Sequence, residues 1–287
     1  MVEPLSWLDV STINTYRDCQ RKMYFRYRLH RTSSRRSTAT EFGESWHSGM
    51  DAWHTTRDVT EAKSAFSKKW GELGGDSVDD TLRTDKRGHD LLKQYATKYP
   101  DEPFTILATE HPFLVDVPGT KVKFAGRIDK IVKDSMGGTR VMDHKTTSRM
   151  GIQLTKRSKP NLQTLGYIWF AKTRFPNCYS TIWDYAGVYS DSSRKTIDDK
   201  FLRVMDTFTD QEIDEFPQLF RYAVEDIERS IREERWVPHF ESCLDYGECA
   251  YRQICTMPKQ MWTSLLEKGF AVKKWDPSKG ELDVGAE

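Results

Sequence analysis

The spacing of apolar residues divides the chain near residue 100. Over residues 10–29, Ile13, Tyr16, Met23 and Tyr27, with Gln20 among them, fall near one stripe, and Ser11 is placed to cap the run; this predicts an amphipathic helix. Residues 31–39, "RTSSRRSTA", lose the periodicity and read as a polar, basic loop. Phe42, Trp46, Met50 and Trp53 then recur at steps of four, four and three, which predicts a second helix. Residues 59–73 and 80–99 suggest two more, separated by a "GGDS" break. The first hundred residues are therefore expected to be mostly helical.

From Pro103 onward the pattern turns β-rich. "FTILATEHPFLVDV" and "KVKFAGRIDKIVKD" read as strands, and Gly137-Gly138 turns the chain into "TRVMDHK", giving an antiparallel meander. Residues 161–174, "NLQTLGYIWFAKTR", return to helical spacing, and "YSTIWDYAGVYS" and "KFLRVMDTFT" read as two more strands. Residues 209–235 predict one long charged helix with a kink at Pro217, and about the last 25 residues a polar tail. The fold class implied is α/β (α+β), a mixed central sheet flanked by helices behind a helical N-terminal lobe.

Composition narrows the function classes. Basic and acidic residues balance at 44 and 43, for a net charge of +1, so a nucleic-acid partner would have to meet a local basic surface. Such clusters occur at Arg31, Arg35 and Arg36, at Lys145 and Arg149, and at Lys156, Arg157 and Lys159. The N-terminal "MVEPLSWLDV" lacks the basic and apolar blocks of a secretion signal, and no stretch approaches the ~20 apolar residues of a membrane span. A cytoplasmic protein without membrane contact is expected, and there its five cysteines are not expected to form disulfides.

Chemistry concentrates in the meander. "GRIDKIV" carries Asp129, and "VMDHK" carries Asp143, His144 and Lys145 on the next strand. Side chains alternate along a strand, so Asp143 and Lys145 share a face on which Asp129 can converge. Two carboxylates suit a hard cation such as Mg²⁺ or Mn²⁺, and a lysine beside it can orient water or stabilise charge on a phosphate. Asp-x-Lys alone is common in surface ion pairs; the "GRID" segment 14 residues earlier makes it notable.

Four motifs in this order resemble the PD-(D/E)XK nuclease superfamily, in particular its RecB-like branch: His47 in "FGESWHSGM", Asp129 in "FAGRIDKI", Asp143 and Lys145 in "VMDHKTT", and Gln163 and Tyr167 in "LQTLGY". Ile128 stands where the superfamily's name places a proline. The resemblance implies a restriction-endonuclease-like core. It implies His47, Asp129 and Asp143 as ligands of Mn²⁺ or Mg²⁺, joined by the backbone carbonyl of His144, with Lys145 catalytic. Gln163 and Tyr167, one helical turn apart, would orient DNA or water. An imidazole ligand favours Mn²⁺. Glu110, in "ATEHPF", is placed to approach from the preceding strand.

The cysteines extend the likeness. Cys243, Cys249 and Cys255 are spaced five and five, Cys19 lies far upstream, and Cys178 reads as a buried small hydrophobe. Four thiolates fit either Zn²⁺ or a [4Fe–4S] cluster. The arrangement resembles the iron–sulfur members of the RecB-like branch, the AddB-type and CRISPR-associated nucleases, which implies a structural [4Fe–4S] cluster on Cys19, Cys243, Cys249 and Cys255. Its loss should loosen the whole fold.

The domain expectation is a helical lobe over 1–100 contributing Cys19 and His47, a nuclease core over 101–235, a cluster-binding segment over 236–262 and a tail over 263–287. The expected function is a Mg²⁺/Mn²⁺-dependent deoxyribonuclease. It would be an exonuclease on single-stranded DNA or free DNA ends, in recombination, repair or viral DNA processing (and then in the host cytoplasm). The sequence has no G-x-x-x-x-G-K-[ST] loop, so a helicase or recombination partner would have to supply any motor, and oligomerisation stays open. The rival reading is a catalytically inactive DNA-binding accessory of the same fold.

Overall fold

In the computed structural model, which describes residues 4–33, 37–75, 80–193, 195–245, 248–276 and 280–283, the chain forms two compact units. One gathers Arg36–His111 and Ile128–Asp214; the other gathers Met1–Arg35, Pro112–Arg127 and Glu215–Glu287. The units cut across the linear order.

In the first unit the apolar stripe works as its spacing requires. Phe42, Trp46, Met50 and Trp53 are buried on α3 (Thr38–Thr56), against Phe66 and Trp70 of α4 (Val59–Glu72) and Leu91, Leu92 and Tyr95 of α5 (Asp85–Lys98). Gly49 permits the close approach: a Cβ there would lie 3.1 Å from Leu92 and 3.2 Å from the Ala62 carbonyl. This layer covers Ala186 and Phe201 of a mixed sheet. Among the described residues its strands are β1 (Trp7–Leu8), β3 (Phe104–Val115), β4 (Lys123–Asp134), β5 (Thr139–Thr147), β6 (Cys178–Gly187) and β7 (Phe201–Thr207). β1, parallel to β4, and the stretch Pro112–Arg127 with its parts of β3 and β4 belong to the second unit. β3 pairs with β4, β4 runs antiparallel to β5, β5 parallel to β6, and β6 antiparallel to β7. The parallel pair needs a crossover, and α6 (Ile152–Arg157) and α7 (Leu162–Arg174) provide it. Asn161 caps α7 by accepting from Gln163 N at 2.9 Å and Thr164 N at 3.3 Å.

The second unit departs more from the pattern. The expected helix over 10–29 breaks at Cys19, which is extended (φ −164°, ψ 113°) between α1 (Val10–Asp18) and α2 (Gln20–Met23), followed by a π-helical turn over Tyr24–Arg28. Pro217 does not kink a long helix. It sits in the first turn of α10 (Phe216–Arg232), where a missing N–H is harmless, after a separate α9 (Asp210–Asp214). Phe216 and Phe220 of α10 pack on Phe124, with ring centroids at 4.7 and 5.5 Å.

Among the described residues of the polar tail there is regular structure. α12 (Trp262–Gly269) leads into β8 (Phe270–Asp276) and β9 (Gly280–Asp283), and β8 pairs with β2 (Arg31–Ser33), where a loop was expected. Phe25, Tyr251, Trp262 and Phe270 form an aromatic cluster beneath it. Arg35, Arg36 and the "DS" of the "GGDS" break lie outside the described residues. Among the described residues no helix is long and apolar enough to cross a membrane.

Candidate active site

All of the nuclease-motif residues fall in the first unit. The β4–β5 register, Lys130 opposite Met142, brings Asp129 beside Asp143. His47, one residue from buried Trp46, leaves the α3 stripe and points its Nδ1 at Asp129 Oδ2, 3.1 Å away. The same carboxylate oxygen accepts the backbone N–H of His144 at 3.0 Å. Asp143 accepts from Gln163 Nε2 at 3.0 Å on one oxygen and meets Lys145 Nζ at 2.5 Å on the other. Lys145 also lies 5.5 Å over the Trp183 ring, a cation–π contact from β6.

Ligating atoms of His47, Glu110 and Asp129 all lie within 4.8 Å of one another. Glu110 thus joins the site more directly than its strand position promised. Its φ of +42° is rare for a non-glycine residue. One nitrogen and two carboxylates form a hard donor set that fits Mn²⁺ or Mg²⁺. Asp143, expected as a ligand, is engaged by Gln163 and Lys145 beside that trio. The His144 imidazole points to the opposite face, and the contact seen from its backbone is the amide's. Tyr167 follows Gln163 by one turn on α7 and is half-buried.

Electrostatics reflect this crowding. Burial opposes charge on Asp129, but the His47 imidazole and then Lys145 hold its carboxyl well below the usual range. Burial pushes the Asp143 carboxyl up, against the pull of Lys145 and with the push of Asp129. Burial also works against charge on His47 and Lys145, yet the aspartates raise both. A divalent cation here would relieve the Asp129–Asp143 repulsion and favour ionised Asp143.

Among the predicted basic clusters, Arg149 and Lys156 are exposed, while Lys159 pairs with Glu212 at 2.6 Å. Behind the sheet lies a buried polar group that the sequence reading missed: His54, Tyr95, Glu102, His144, Asp184 and Arg203. A lone aspartate inside "STIWDYAGV" was the available signal. Burial, then Lys130, pushes His144 down to about 4 despite Asp184; burial, then His144, pushes His54 further down.

A neutral histidine in the fold and a titrating one in the unfolded chain make stability fall as pH drops from about 6.5 toward 4, because the unfolded state binds the extra proton. The raised Asp143 carboxyl acts in the opposite sense, at the acid end. In EDTA, stability is expected to fall by about 3 kcal/mol between pH ~6.5 and ~4.5, measured as urea midpoints. A flat profile would contradict the buried neutral histidines.

The four cysteines of the predicted cluster all lie in the second unit, and none is in a disulfide. The Cys243 thiol is raised by burial, then by Cys249 and Cys19; that of Cys255 by burial and by Cys19 and Cys249, against a hydrogen bond from Arg21. The thiols are therefore near enough to discourage one another's ionisation. By residue type the set suits iron–sulfur or zinc, but among the described residues no three of these Sγ atoms lie within 4.8 Å of one another, as the ligand atoms of His47, Glu110 and Asp129 do. Cys178 lies in the first unit, buried, with its thiol pushed up to about 12 by burial.

The sequence profile of the PD-(D/E)XK nuclease superfamily matches residues 8–256. The chain belongs to that superfamily. Among solved structures, the nuclease is similar to a candidate exonuclease from Eubacterium rectale at 11% identity and TM-score 0.50, over 88% of this chain and 90% of that one. A second similar structure is LHK-Exo in complex with dAMP, at 15% identity and TM-score 0.31, over 68% of this chain and 95% of that one. No curated protein sequence matches the nuclease.

Proposed function

We propose that the chain is a Mn²⁺- or Mg²⁺-dependent deoxyribonuclease of the RecB-like iron–sulfur branch, an exonuclease acting on single-stranded DNA or free DNA ends. The observation that carries this is the convergence of His47, Glu110 and Asp129 on one point, with the Asp143–Lys145 ion pair beside it. The order of the motifs and the four-cysteine pattern support the branch. Its resemblance to stand-alone nucleases of that branch supports action on DNA ends in recombination, repair or viral DNA processing.

Hydrolysis breaks one P–O bond while water forms another, and negative charge is redistributed over the phosphoryl oxygens. A bound divalent ion would supply Lewis acidity and a more acidic water. The protein's own groups do the placing. His47, Glu110 and Asp129 would hold the ion, and Gln163 fixes one oxygen of Asp143. Lys145, steered by Asp143 and Trp183, presents its ammonium to the phosphate or the attacking water. Cys19, Cys243, Cys249 and Cys255 would hold a [4Fe–4S] cluster with a structural role.

The test is cleavage of end-labelled single- and double-stranded DNA by anaerobically purified protein, with Mn²⁺, Mg²⁺ or EDTA. Products that accumulate progressively from an end, need the metal and form faster on single strands are expected. DNA binding without cleavage in any metal would replace the enzyme with an inactive DNA-binding accessory.

A further inference from the structure

On the sheet face turned away from Asp143 and Lys145, three charged or titratable side chains lie side by side in register. His144 of β5 is opposite Asp184 of β6, and Asp184 is opposite Arg203 of β7. His144 and Asp184 are each about 1% exposed, and His144 Nδ1 lies 3.1 Å from Asp184 Oδ2. That oxygen also accepts from the Tyr95 hydroxyl at 2.5 Å, and Asp184 Oδ1 lies 3.3 Å from Arg203 Nε. Arg203 is held in turn by both oxygens of Glu102, each at 2.7 Å, and donates to the Tyr95 oxygen at 2.6 Å.

A sheet that needed only a core would place apolar side chains here, because buried ion networks are commonly no more stable than well-packed apolar ones. What such a network does supply is orientation. Tyr95, Glu102, Arg203 and Asp184 are hydrogen-bonded to one another in fixed directions, so the Asp184 carboxylate has little freedom to turn. It meets the His144 imidazole at an ion-pair distance of 3.1 Å, neither ring nitrogen having a hydrogen-bond partner. Its first neighbour, His144, is the residue between Asp143 and Lys145, and the backbone N–H of His144 donates to the Asp129 carboxylate. One residue is thus held from behind the sheet and itself holds a candidate metal ligand in front.

We propose that Asp184 is a positioning residue of the nuclease site. Through the His144 imidazole it fixes the peptide between Asp143 and Lys145, and through that peptide's N–H it sets the orientation of Asp129. The inference rests on the metal site proposed above. Groups that touch a metal ligand directly typically change metal affinity or activity by about 10–100-fold when removed. Asp184 acts one step further back, through His144, so about the lower end of that range is expected.

The experiment measures Mn²⁺ binding directly by electron paramagnetic resonance, alongside steady-state cleavage and thermal unfolding, in wild type and in Asp184→Asn. The expected result is Mn²⁺ affinity about tenfold weaker and kcat lower to a similar degree, with KM for DNA within about twofold of wild type. Phe220→Leu separates positioning from bulk stability. Phe220 is fully buried against Phe124 and belongs to neither the polar network nor the nuclease motifs, so the substitution should lower the melting temperature while Mn²⁺ affinity stays within about threefold of wild type.

His144→Gln covers the case in which Asp184→Asn does not fold. It should reproduce the affinity loss, and where both fold the double variant should be no worse than either single one, since Asp184 acts through His144. Wild-type Mn²⁺ affinity in Asp184→Asn or His144→Gln would overturn the inference and leave the nuclease reading standing. A wild type that neither binds Mn²⁺ nor cleaves would instead overturn the reading of the site itself.

Discussion

Lys145→Ala is expected to reduce DNA cleavage by about 10²–10³-fold or more while the protein stays folded and still binds Mn²⁺. The side chain is about one-third exposed, so its loss opens no core cavity. Its contribution to stability is screened by solvent, and the change in melting temperature should be small. What disappears is a cation held ready. Asp143 at 2.5 Å and the Trp183 ring at 5.5 Å fix the ammonium before substrate arrives, so no reorganisation is needed as charge shifts on the phosphate. A donor placed in this way is commonly worth that factor in rate. The loss should appear in kcat with KM for DNA nearly unchanged, because the group acts on the transition state rather than on the bound strand. Lys145→Arg is expected to recover little, since the planar guanidinium cannot occupy the same point between Asp143 and Trp183. Full activity in Lys145→Ala would remove the lysine from the mechanism.

Part of this site was legible in advance from local spacing. Asp143 and Lys145 could be assigned to one face because strand side chains alternate, and Asp129 could join them because a short turn forces its strand alongside. Each of those steps needs only a period and a neighbour. His47, Gln163 and Tyr167 were aimed at the site by the resemblance to the superfamily; spacing placed His47 only beside the apolar stripe of its helix, and Gln163 and Tyr167 only on one helix face.

The parts that were obscure depend on backbone breaks and on contacts distant in sequence. Glu110 was placed near the site from its strand, but the left-handed backbone conformation it adopts there is announced by no periodicity. The interruption at Cys19 lies within a run whose apolar stripe continues past it, so spacing alone joined two helices into one. The C-terminal hairpin was hidden by its polarity: β8 is ordered by pairing with β2, some 240 residues earlier in the chain. Asp184 could be seen as out of place in an apolar strand. Its partners, though, come from α5, β5 and β7, and only the assembled sheet reveals what it holds.

The second large effect is expected at the cysteines. Cys255→Ser should abolish the brown charge-transfer absorption of anaerobically purified protein and remove about four iron atoms per chain. The structure sharpens where the damage falls. Cys19 and the three C-terminal cysteines lie in one unit, assembled from three separate stretches of chain, so a cluster there would close a loop of more than 200 residues. Loop closure of that length is worth about 5 kcal/mol in the chain-entropy picture. Raised thiol pKa values add to it, because the metal-free site must either stay protonated or accept repulsion.

The variant is therefore expected to become sensitive to protease within Met1–Arg35 and Glu215–Glu287 before the rest of the chain does. His47, Glu110, Asp129, Asp143 and Lys145 all belong to the other unit, so Mn²⁺ binding should outlast the loss of the cluster. Colourless wild-type protein carrying one zinc per chain would assign the same thiolates to zinc. Metal-free wild-type protein with unchanged protease resistance would remove the four cysteines from any structural role.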